Sequence, residues 1–363
     1  MHIAARTELG IETMCAPLRI DLAGFAREAT LGDHRALMGL VERADALGFD
    51  AIWFNEFHFR RDDLPYPSLL LLGAEILGRT QRLRFGTSVM VLPIYHPLML
   101  AEQLAQLDFQ SGGRLDVGIG RGTEPSTLTT LGISPDDARA RFVEALDIIV
   151  NAWTLPQSSA TGPNWQFTDV AVGPPPVQRP YPPLYVAGVS PETIAMAVAR
   201  KLPLLLSLEP NEARQLPEFR GQLARAGRSL QPLAASSLSR YVLIGATAAA
   251  VDEQIDTLLT CLNDRCAAMA AKRGQPAPEK RSREALLADF AIAGTPEACQ
   301  RQIEDLRART GVNGLRCFFS ANGLISNADA LSRMEMFARE VMPGLRETQL
   351  SPRAGVRHSS SVV

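Results

Sequence analysis

Polar side chains that could exchange protons follow a strongly apolar stretch near the start of the chain. Asp50 to Asn55 (DAIWFN) is predicted to be a strand, and Glu56 and His58 come directly after it. Glutamate and histidine act as general acids and bases in many enzymes. They could equally belong to a hydrogen-bond network that closes the end of a sheet. His96 is a third catalytic candidate, although a His-Pro pair before a helix is also a common turn or cap.

A candidate anion site lies after two other predicted strands. Gly188 to Thr193 (GVSPET) leads directly into a helix, where free N–H groups and the helix dipole favour an anion. Ser190 and Thr193 can add hydroxyl donors. Arg121 follows Gly120 at the end of another strand and can donate two parallel hydrogen bonds. Ser190 could instead be a plain helix N-cap, since Ser-Pro-Glu is a good capping sequence, and both interpretations stay open.

The segment from Arg84 to Gly122 explains how these residues could meet. It combines an apolar strand (Leu83 to Leu92), an amphipathic helix (Leu98 to Gln110) and a second strand (Arg114 to Gly120). This order is a βαβ unit, which implies a parallel sheet. Parallel strands end at the same edge of a sheet, so the residues that follow them can face one ligand.

Strand and helix signals alternate along the whole chain and predict an α/β fold, a (β/α)₈ TIM barrel with insertions. The other predicted strands are Leu9 to Met14, Leu184 to Ala187, Pro203 to Leu208, Ser239 to Gly245 and Gly314 to Ser320. The other predicted helices are His34 to Leu47, Leu69 to Arg79, about Pro135 to Trp153, Ser190 to Arg200, Asn211 to Gly227, Ala248 to about Ala271, Pro296 to Arg309 and Asn327 to Val341. An open doubly wound sheet is the alternative, but it would need a Gly-rich dinucleotide turn after the first strand, which the sequence lacks.

Three segments depart from the strand–helix alternation. Leu155 to Pro183 is rich in proline and predicts an insertion over one end of the sheet, with a short strand at Trp165 to Val172. Lys272 to Glu284 is polar, charged and contains proline, which makes it a candidate mobile lid. We therefore predict a single domain over residues 1–349, followed by a disordered tail at 350–363.

Composition and charge limit the classes of partner. The chain has 37 Lys and Arg against 39 Asp and Glu, a net charge of −2, so nothing favours nucleic acid or an anionic membrane. No apolar run of about 18 residues occurs, and the first residues lack the apolar core of a signal peptide. The 5 cysteines have no metal-ligand spacing. We therefore expect a cytoplasmic protein with free thiols and no metal site.

Several segments resemble the bacterial luciferase-like flavin monooxygenase family, in particular the luciferase alpha chain. They are GFDAIWFNEFHF at 48–59, GTSVMVLPIYHP at 86–97, LDFQSGGRLDVGIGRG at 107–122, LYVAG at 184–188, AGTPEACQRQIEDLRARTGVNGLRCFFSANG at 293–323 and EVMPGL at 340–345. The resemblance covers nearly the whole chain.

The resemblance implies a β/α barrel that binds FMN non-covalently, with the reduced form supplied by a separate NAD(P)H-dependent flavin reductase. Reduced flavin then reacts with oxygen to a peroxyflavin that attacks a small-molecule substrate, while the protein excludes water. By position, Arg121 and the Gly188 to Thr193 turn resemble the phosphate site. The Ser88–Val89 bond resembles a non-proline cis peptide that lies against the flavin ring. The Lys272 to Glu284 segment matches the family's lid.

Two positions depart from the luciferase pattern. Phe57 stands where luciferases carry their catalytic histidine, and Gly120 stands where they carry a reactive cysteine. Light emission from a long-chain aldehyde is therefore not expected. We expect oxidation of a bulky or aromatic intermediate of antibiotic-type biosynthesis, by hydroxylation, epoxidation or Baeyer–Villiger chemistry. Phe54, Phe57 and Phe59 are predicted to form an aromatic pocket wall, although they could equally be core residues.

Two other functions stay open. The first is a deazaflavin-dependent dehydrogenase of the same superfamily, which transfers hydride and does not use oxygen. The second is a non-catalytic flavin-binding partner subunit, which would be consistent with Phe57 and Gly120. Retention of Arg121 and of the Gly188 to Thr193 turn argues against the second, because a silent subunit need not keep a phosphate site.

Two helices carry more apolar surface than one buried face requires. The helix Leu69 to Arg79 is apolar nearly all round, and only Glu75 and Arg79 are charged. The helix Leu98 to Phe109 adds Leu100, Leu104 and Leu107. A second apolar face on an outer helix indicates a partner. We expect a homodimer through residues 67–79 and 98–110.

Overall fold

A parallel β-sheet forms the centre of the computed structural model, which describes residues 17–25, 33–59, 66–122, 124–208, 212–272 and 274–350. In chain order the strands of this sheet are β1 (Arg19–Ala23), β2 (Ala51–Phe54), β3 (Arg84–Val91), β4 (Leu115–Gly120), β7 (Leu184–Val186), β8 (Ser237–Ile244), β9 (Ala291–Gly294) and β10 (Gly314–Phe318). Between β4 and β7 the chain forms a separate antiparallel hairpin of β5 (Ser158–Thr161) and β6 (Gln166–Val170). The main sheet has the order β7-β4-β3-β2-β1-β10-β8-β9.

Two isolated bridges close this sheet into a barrel. Val186 at the end of β7 pairs with Leu204, and Leu205 pairs with Ser237 at the start of β8. The predicted α/β barrel is therefore confirmed. The predicted sixth strand, Pro203 to Leu208, is reduced to these two bridges.

The first strand of the barrel is not where the sequence pattern placed it. Leu9 to Met14 lies outside the described residues, and β1 is formed by RIDLA at 19–23. Asp21 interrupts the apolar pattern of β1, yet it is buried and accepts hydrogen bonds from Arg19 Nε (2.8 Å) and Trp53 Nε1 (2.7 Å). The pattern also failed to predict β9, which is only four residues long.

The predicted helices form with small changes at their ends. They are His34–Leu47, Leu69–Arg79, Pro97–Ser111, Ala138–Thr154, Pro191–Ala199, Glu212–Arg225, Ala248–Lys272, Pro296–Thr310 and Asn327–Glu340. The first shows why they begin and end where they do. Asp33 Oδ1 accepts from Ala36 N at 2.8 Å, and Gly48 ends the helix at φ 83°, a conformation that glycine adopts without strain. Helices at Pro125–Thr130, Gln231–Ala234 and Met342–Leu350 were not predicted.

The proline-rich insertion at 155–183 is tied to the barrel rather than left as a free loop. Its β5–β6 hairpin contains the short strand that the sequence predicted. Beyond the hairpin, the buried carboxylate of Asp108 accepts the backbone N–H groups of Val177 (2.7 Å) and Gln178 (3.0 Å). These bonds satisfy backbone donors that lack a strand partner.

Apolar side chains fill the space between the sheet and its helices, whereas charged side chains occupy part of the barrel interior. Cys317 belongs to the apolar core, as predicted. Asp116 is fully buried and pairs with Arg19 and with Arg84 Nη2 (2.7 Å). Burial alone would raise the pKa of Asp116, but the two guanidinium groups outweigh it and lower the pKa. In the described ranges, no helix is both long and apolar enough to cross a membrane.

Candidate active site

A cavity of about 390 Å³ opens at the carboxyl ends of β2, β3, β4 and β7. The residues predicted for chemistry or cofactor binding line it, with the exception of His96. Those that line it are Glu56, His58, Ser88, Val89, Gly120, Arg121, Gly188, Ser190 and Thr193. The tertiary structure adds lining residues that the sequence did not indicate, among them Asn55, Leu128, Arg139 and Phe142.

Part of the cavity wall is formed by the ends of β3 and β4. The Ser88–Val89 peptide bond is cis, as the resemblance implied. Beside it, a Cβ atom on Gly120 would lie 2.7 Å from Val89 Cγ2, closer than real contacts allow. Gly120 therefore accommodates the Val89 side chain and leaves the surface without a projecting group.

Another part of the cavity wall is the start of the helix Pro191–Ala199. Ser190 caps this helix, and its Oγ accepts from Thr193 N at 3.3 Å and lies 3.0 Å from Thr193 Oγ1. The capping interpretation is confirmed, and both side chains also line the cavity. A Cβ atom on Gly188 would lie 2.4 Å from Thr193 Cγ2, so glycine allows the turn to pack against the helix start.

Two arginines flank this helix start. Arg121 follows β4, lines the cavity and is exposed. Arg139, which sequence reasoning missed, lies in the first turn of the helix Ala138–Thr154. Its Nη1 lies 3.3 Å from Glu192 Oε2, and its Nη2 lies 3.5 Å from Ser190 Oγ. An arginine in a first turn opposes the helix dipole, and this was the available signal that Arg139 serves something other than its own helix.

Glu56 joins the ends of β2 and β3. Its buried carboxylate accepts from Val91 N at 2.6 Å and from the Tyr95 hydroxyl. Burial, reinforced by the Glu56 charge, raises the pKa of Tyr95 far above its ordinary value, so Tyr95 stays a protonated donor. Glu56 therefore fixes the backbone at this edge of the cavity, as the network interpretation predicted, while also lining the cavity.

His58 is the neighbour of Glu56 in the cavity wall. Its Nε2 lies 3.1 Å from Glu56 Oε1, yet the direction of the ring nitrogen does not complete a hydrogen bond, and Nε2 has no other partner. The His58 side chain is 21% exposed. A half-buried imidazole with an unsatisfied nitrogen beside a carboxylate can accept or donate a proton at the cavity surface.

His96 and two of the three phenylalanines lie away from the cavity lining. His96 is exposed at the N-cap of the helix Pro97–Ser111, with its ring 6.5 Å from that of Trp165. Phe54 packs in the core against Phe85, and Phe59 is 65% exposed. Phe57 lines the cavity. The predicted aromatic wall is therefore wrong for Phe54 and Phe59. Phe54 is the last residue of β2 and belongs to the core, whereas Phe59 lies beyond the strand and adopts a positive φ of 58°.

The cavity lining combines arginine and hydroxyl side chains with the apolar residues Val89 and Gly120. Guanidinium groups, hydroxyls and free N–H groups at a helix start are the donors that bind a phosphate. Apolar surface such as that at Val89 and Gly120 suits a planar ring. Among the described residues, no group of three or more His, Cys, Asp or Glu side chains could hold a metal ion.

Comparison with known proteins finds uncharacterised relatives and relatives that are named monooxygenases. An uncharacterised protein of Sinorhizobium fredii is 38% identical over 44% of this chain and 46% of that protein, so the match covers about half of its length. The 4-hydroxyprotoasukamycin monooxygenase of Streptomyces nodosus is 27% identical over 84% of this chain and 85% of that protein. An alkanal monooxygenase alpha chain from a Kryptophanaron alfredi symbiont is 26% identical over 86% of this chain and 93% of that protein.

A solved structure and a family profile extend this result. The oxygenating constituent of 3,6-diketocamphane monooxygenase from Pseudomonas putida, a structure in complex with FMN, superposes with a TM-score of 0.72 at 19% identity. The superposition covers 90% of this chain and 98% of that one, and at this identity it shows the shared fold. The profile of the luciferase-like monooxygenases matches residues 15–314. Because this match spans most of the sequence, the chain belongs to the luciferase-like monooxygenase family.

Proposed function

We propose that this protein is the oxygenase of a two-component system, which binds reduced FMN and oxidises a bulky or aromatic biosynthetic intermediate. The observation that supports this most directly is the lining of one cavity. It brings Arg121, Arg139 and the start of the helix Pro191–Ala199 together with Val89 and Gly120. FMN has a phosphate at one end and a planar ring at the other.

The side chains of Ser190, Thr193 and Arg139 fit a phosphate without rearrangement of the backbone. Ser190 and Thr193 present hydroxyl groups at a helix start. Arg139 is held by Glu192, but this pair is exposed, since the Glu192 side chain is 67% exposed. Exposed ion pairs contribute little free energy, so a phosphate dianion can replace Glu192 as the partner of Arg139.

Each part of the lining has a distinct task in this proposal. FMN, when bound in its reduced form, supplies the electrons with which oxygen is activated. Arg121 and Arg139 bind the phosphate and orient the ring. Val89 and Gly120 support the ring face, and Phe57 faces the substrate side. His58 holds or moves a proton beside the Glu56 carboxylate, and both side chains lie near the reacting centre.

Anaerobic titration with reduced FMN tests the cofactor assignment. We expect Arg139→Ala and Arg121→Ala each to weaken reduced FMN binding by about tenfold or more, since a hydrogen bond to a charged group contributes about 1.5–3 kcal/mol. Riboflavin, which lacks the phosphate, should bind wild type and both variants alike. Arg43→Ala is a matched control, because Arg43 forms an exposed ion pair with Glu335 on the outer helices. Unchanged affinity in both cavity variants would place the phosphate elsewhere.

Rapid mixing of the reduced complex with oxygenated buffer tests the reaction class. A monooxygenase should delay the return of the oxidised FMN spectrum relative to free reduced FMN, because the cavity excludes water. Prompt reoxidation, or tighter binding of a deazaflavin than of FMN, would instead indicate hydride transfer. Binding of FMN with no turnover of any substrate would favour a non-catalytic subunit.

The substrate proposal rests on the cavity wall and on one relative. Phe57 lines the cavity at the position of the luciferase histidine. The Streptomyces relative is named for a bulky natural product, 4-hydroxyprotoasukamycin. A screen of aromatic and polyketide-type intermediates against straight-chain aldehydes would separate the two substrate classes. Product formation from aldehydes alone would contradict this proposal.

We further propose two protein partners. An NAD(P)H-dependent flavin reductase would supply reduced FMN. A second copy of this chain would cover the apolar faces of the helices Leu69–Arg79 and Pro97–Ser111, where Leu71 is 76% exposed, Met99 54% and Phe109 60%. Three large apolar side chains on adjacent outer helices are unusual on a monomer surface.

The lid is also a proposal. In the described part of the segment, Arg283 pairs with Asp252 and with Asp256 (3.0 Å) on the helix Ala248–Lys272, and Arg281 lies over the Phe290 ring at 4.2 Å. No described residue of this segment lines the cavity. Closure would therefore require these exposed pairs to separate. Trypsin should cleave at Lys280 more slowly when reduced FMN is bound, and equal rates would argue against a lid.

A further inference from the structure

The barrel interior below the cavity contains arginine and aspartate side chains in close contact. Arg19 and Arg84 share the two buried carboxylates of Asp21 and Asp116. Arg316 on β10 is also buried, at 3% exposure. Within the described part of the chain, no carboxylate lies at ion-pair distance from Arg316.

The hydrogen bonds of Arg316 direct it at the cavity. Its Nη2 donates to Leu206 O at 2.7 Å, and its Nη1 donates to Ser88 Oγ at 3.0 Å. Its Nε has no partner. Burial lowers the pKa of Arg316 to about 10, which leaves it charged at neutral pH. The charge of Asp21 partly offsets this lowering, but Asp21 bonds to Arg19 and makes no ion pair with Arg316, so Arg316 can still attract a further negative charge.

Ser88 connects this charge to the cavity. Its oxygen accepts from Arg316, so its own O–H is free to donate. No acceptor for this O–H exists among the described residues, and Ser88 lines the cavity next to the cis peptide. A hydroxyl that accepts from a guanidinium is polarised and becomes a stronger donor.

We propose that Arg316 is a positioning residue that acts through the Ser88 hydroxyl to bind negative charge on the ring of reduced FMN. This inference rests on the proposed function. Oxidised FMN has a neutral ring, whereas uptake of two electrons and one proton gives an anionic ring. The Arg316–Ser88 pair therefore favours the reduced form, independently of the phosphate group. This pair could not be predicted from the sequence, because Ser88 and Arg316 are 228 positions apart.

The midpoint potential of bound FMN measures this preference, because it reports the ratio of affinities for the reduced and oxidised forms. We expect Ser88→Ala to lose about tenfold of the preference for reduced FMN, which corresponds to a potential about 30 mV lower for a two-electron couple. Arg316→Met should lower the potential at least as much, and Arg316→Lys should restore part of it because the charge is kept. The double variant should not exceed Arg316→Met alone.

Thr87→Val is the matched control. Thr87 is the chain neighbour of Ser88, and its buried hydroxyl donates to Gly118 O at 2.8 Å rather than to the cavity. It should change stability and leave the potential unchanged. Equal potentials in wild type and Ser88→Ala, or equal shifts in Ser88→Ala and Thr87→Val, would overturn the inference.

The outcomes also separate this inference from the proposed function. If wild type binds neither form of FMN, both fall together. If wild type binds FMN and Ser88→Ala leaves the potential unchanged, only the role of Arg316 falls. Ser88→Ala removes a single oxygen at a partly exposed position, so the test does not depend on whether Arg316→Met folds.

Discussion

Substitution of Gly120 by alanine tests how tightly Gly120 packs against Val89 in the cavity wall. Gly120 has no positive φ, so the backbone accepts alanine and only the contact with Val89 opposes it. The new Cβ would lie 2.7 Å from Val89 Cγ2, about 0.7 Å short of ordinary contact, which begins at 3.4 Å. Overpacking of this kind costs about 1–3 kcal/mol.

A double-mutant cycle with Val89→Ala isolates this contact. Val89→Ala removes Cγ2, so Gly120→Ala should cost less than about 0.5 kcal/mol in that background, with a coupling energy of at least about 1 kcal/mol. Urea unfolding of the four proteins gives these free energies. Gly39→Ala is the control, since no atom lies within 4 Å of its Cβ position in the helix His34–Leu47. It should stabilise by about 0.5–1 kcal/mol. Equal costs of Gly120→Ala in both backgrounds would refute the reasoning.

Two further predictions concern stability and assembly. Burial alone would raise the pKa of the Asp45 carboxylate. The backbone N–H groups of Gln81, Arg82 and Leu83 donate to this carboxylate and outweigh burial, so its pKa is lowered. A carboxylate whose pKa is lowered by folding stabilises the folded state at pH values above its ordinary pKa of about 4. This stabilisation is lost as the pH falls below that value. Asp45→Asn should therefore be less stable than wild type at pH 7 and converge with it in acid; a constant difference in urea midpoint would contradict this. Leu71→Glu should give a monomer by light scattering, where wild type is expected to be a dimer, and a wild-type monomer would refute the interface.

Much of the fold could be predicted from the sequence because its signals are local. The helix His34–Leu47 has its N-cap aspartate and its closing glycine within the segment itself. β1 was missed for a physical reason: Asp21 looks unfavourable in a core strand until Arg19 and the Trp53 indole bind it. The sixth strand was over-predicted because an apolar run does not specify how many bridges it forms.

The candidate site divides in the same way. Glu56, His58, Arg121 and the Gly188 to Thr193 turn could be predicted because each follows an apolar strand, and strand ends meet at one edge of a parallel barrel. Phe54 and Phe59 were misplaced because the strand ends at Phe54, and the path of the chain beyond it could not be predicted from the sequence. His96 resembled a site residue in sequence, but the chain turns it outward at the start of a helix.

The sequence by itself determined the barrel, the edge at which the site lies and the helix start that lines the cavity, because hydrophobic period and capping residues act over a few positions. Only the tertiary structure decided which distant side chains complete the site. Arg139 reaches Ser190 across 51 positions, and Arg316 reaches Ser88 across 228. Both pairs depend on barrel closure. The buried Arg316 also depends on the low dielectric of the interior, where a charge without a carboxylate partner matters far more than it does in water.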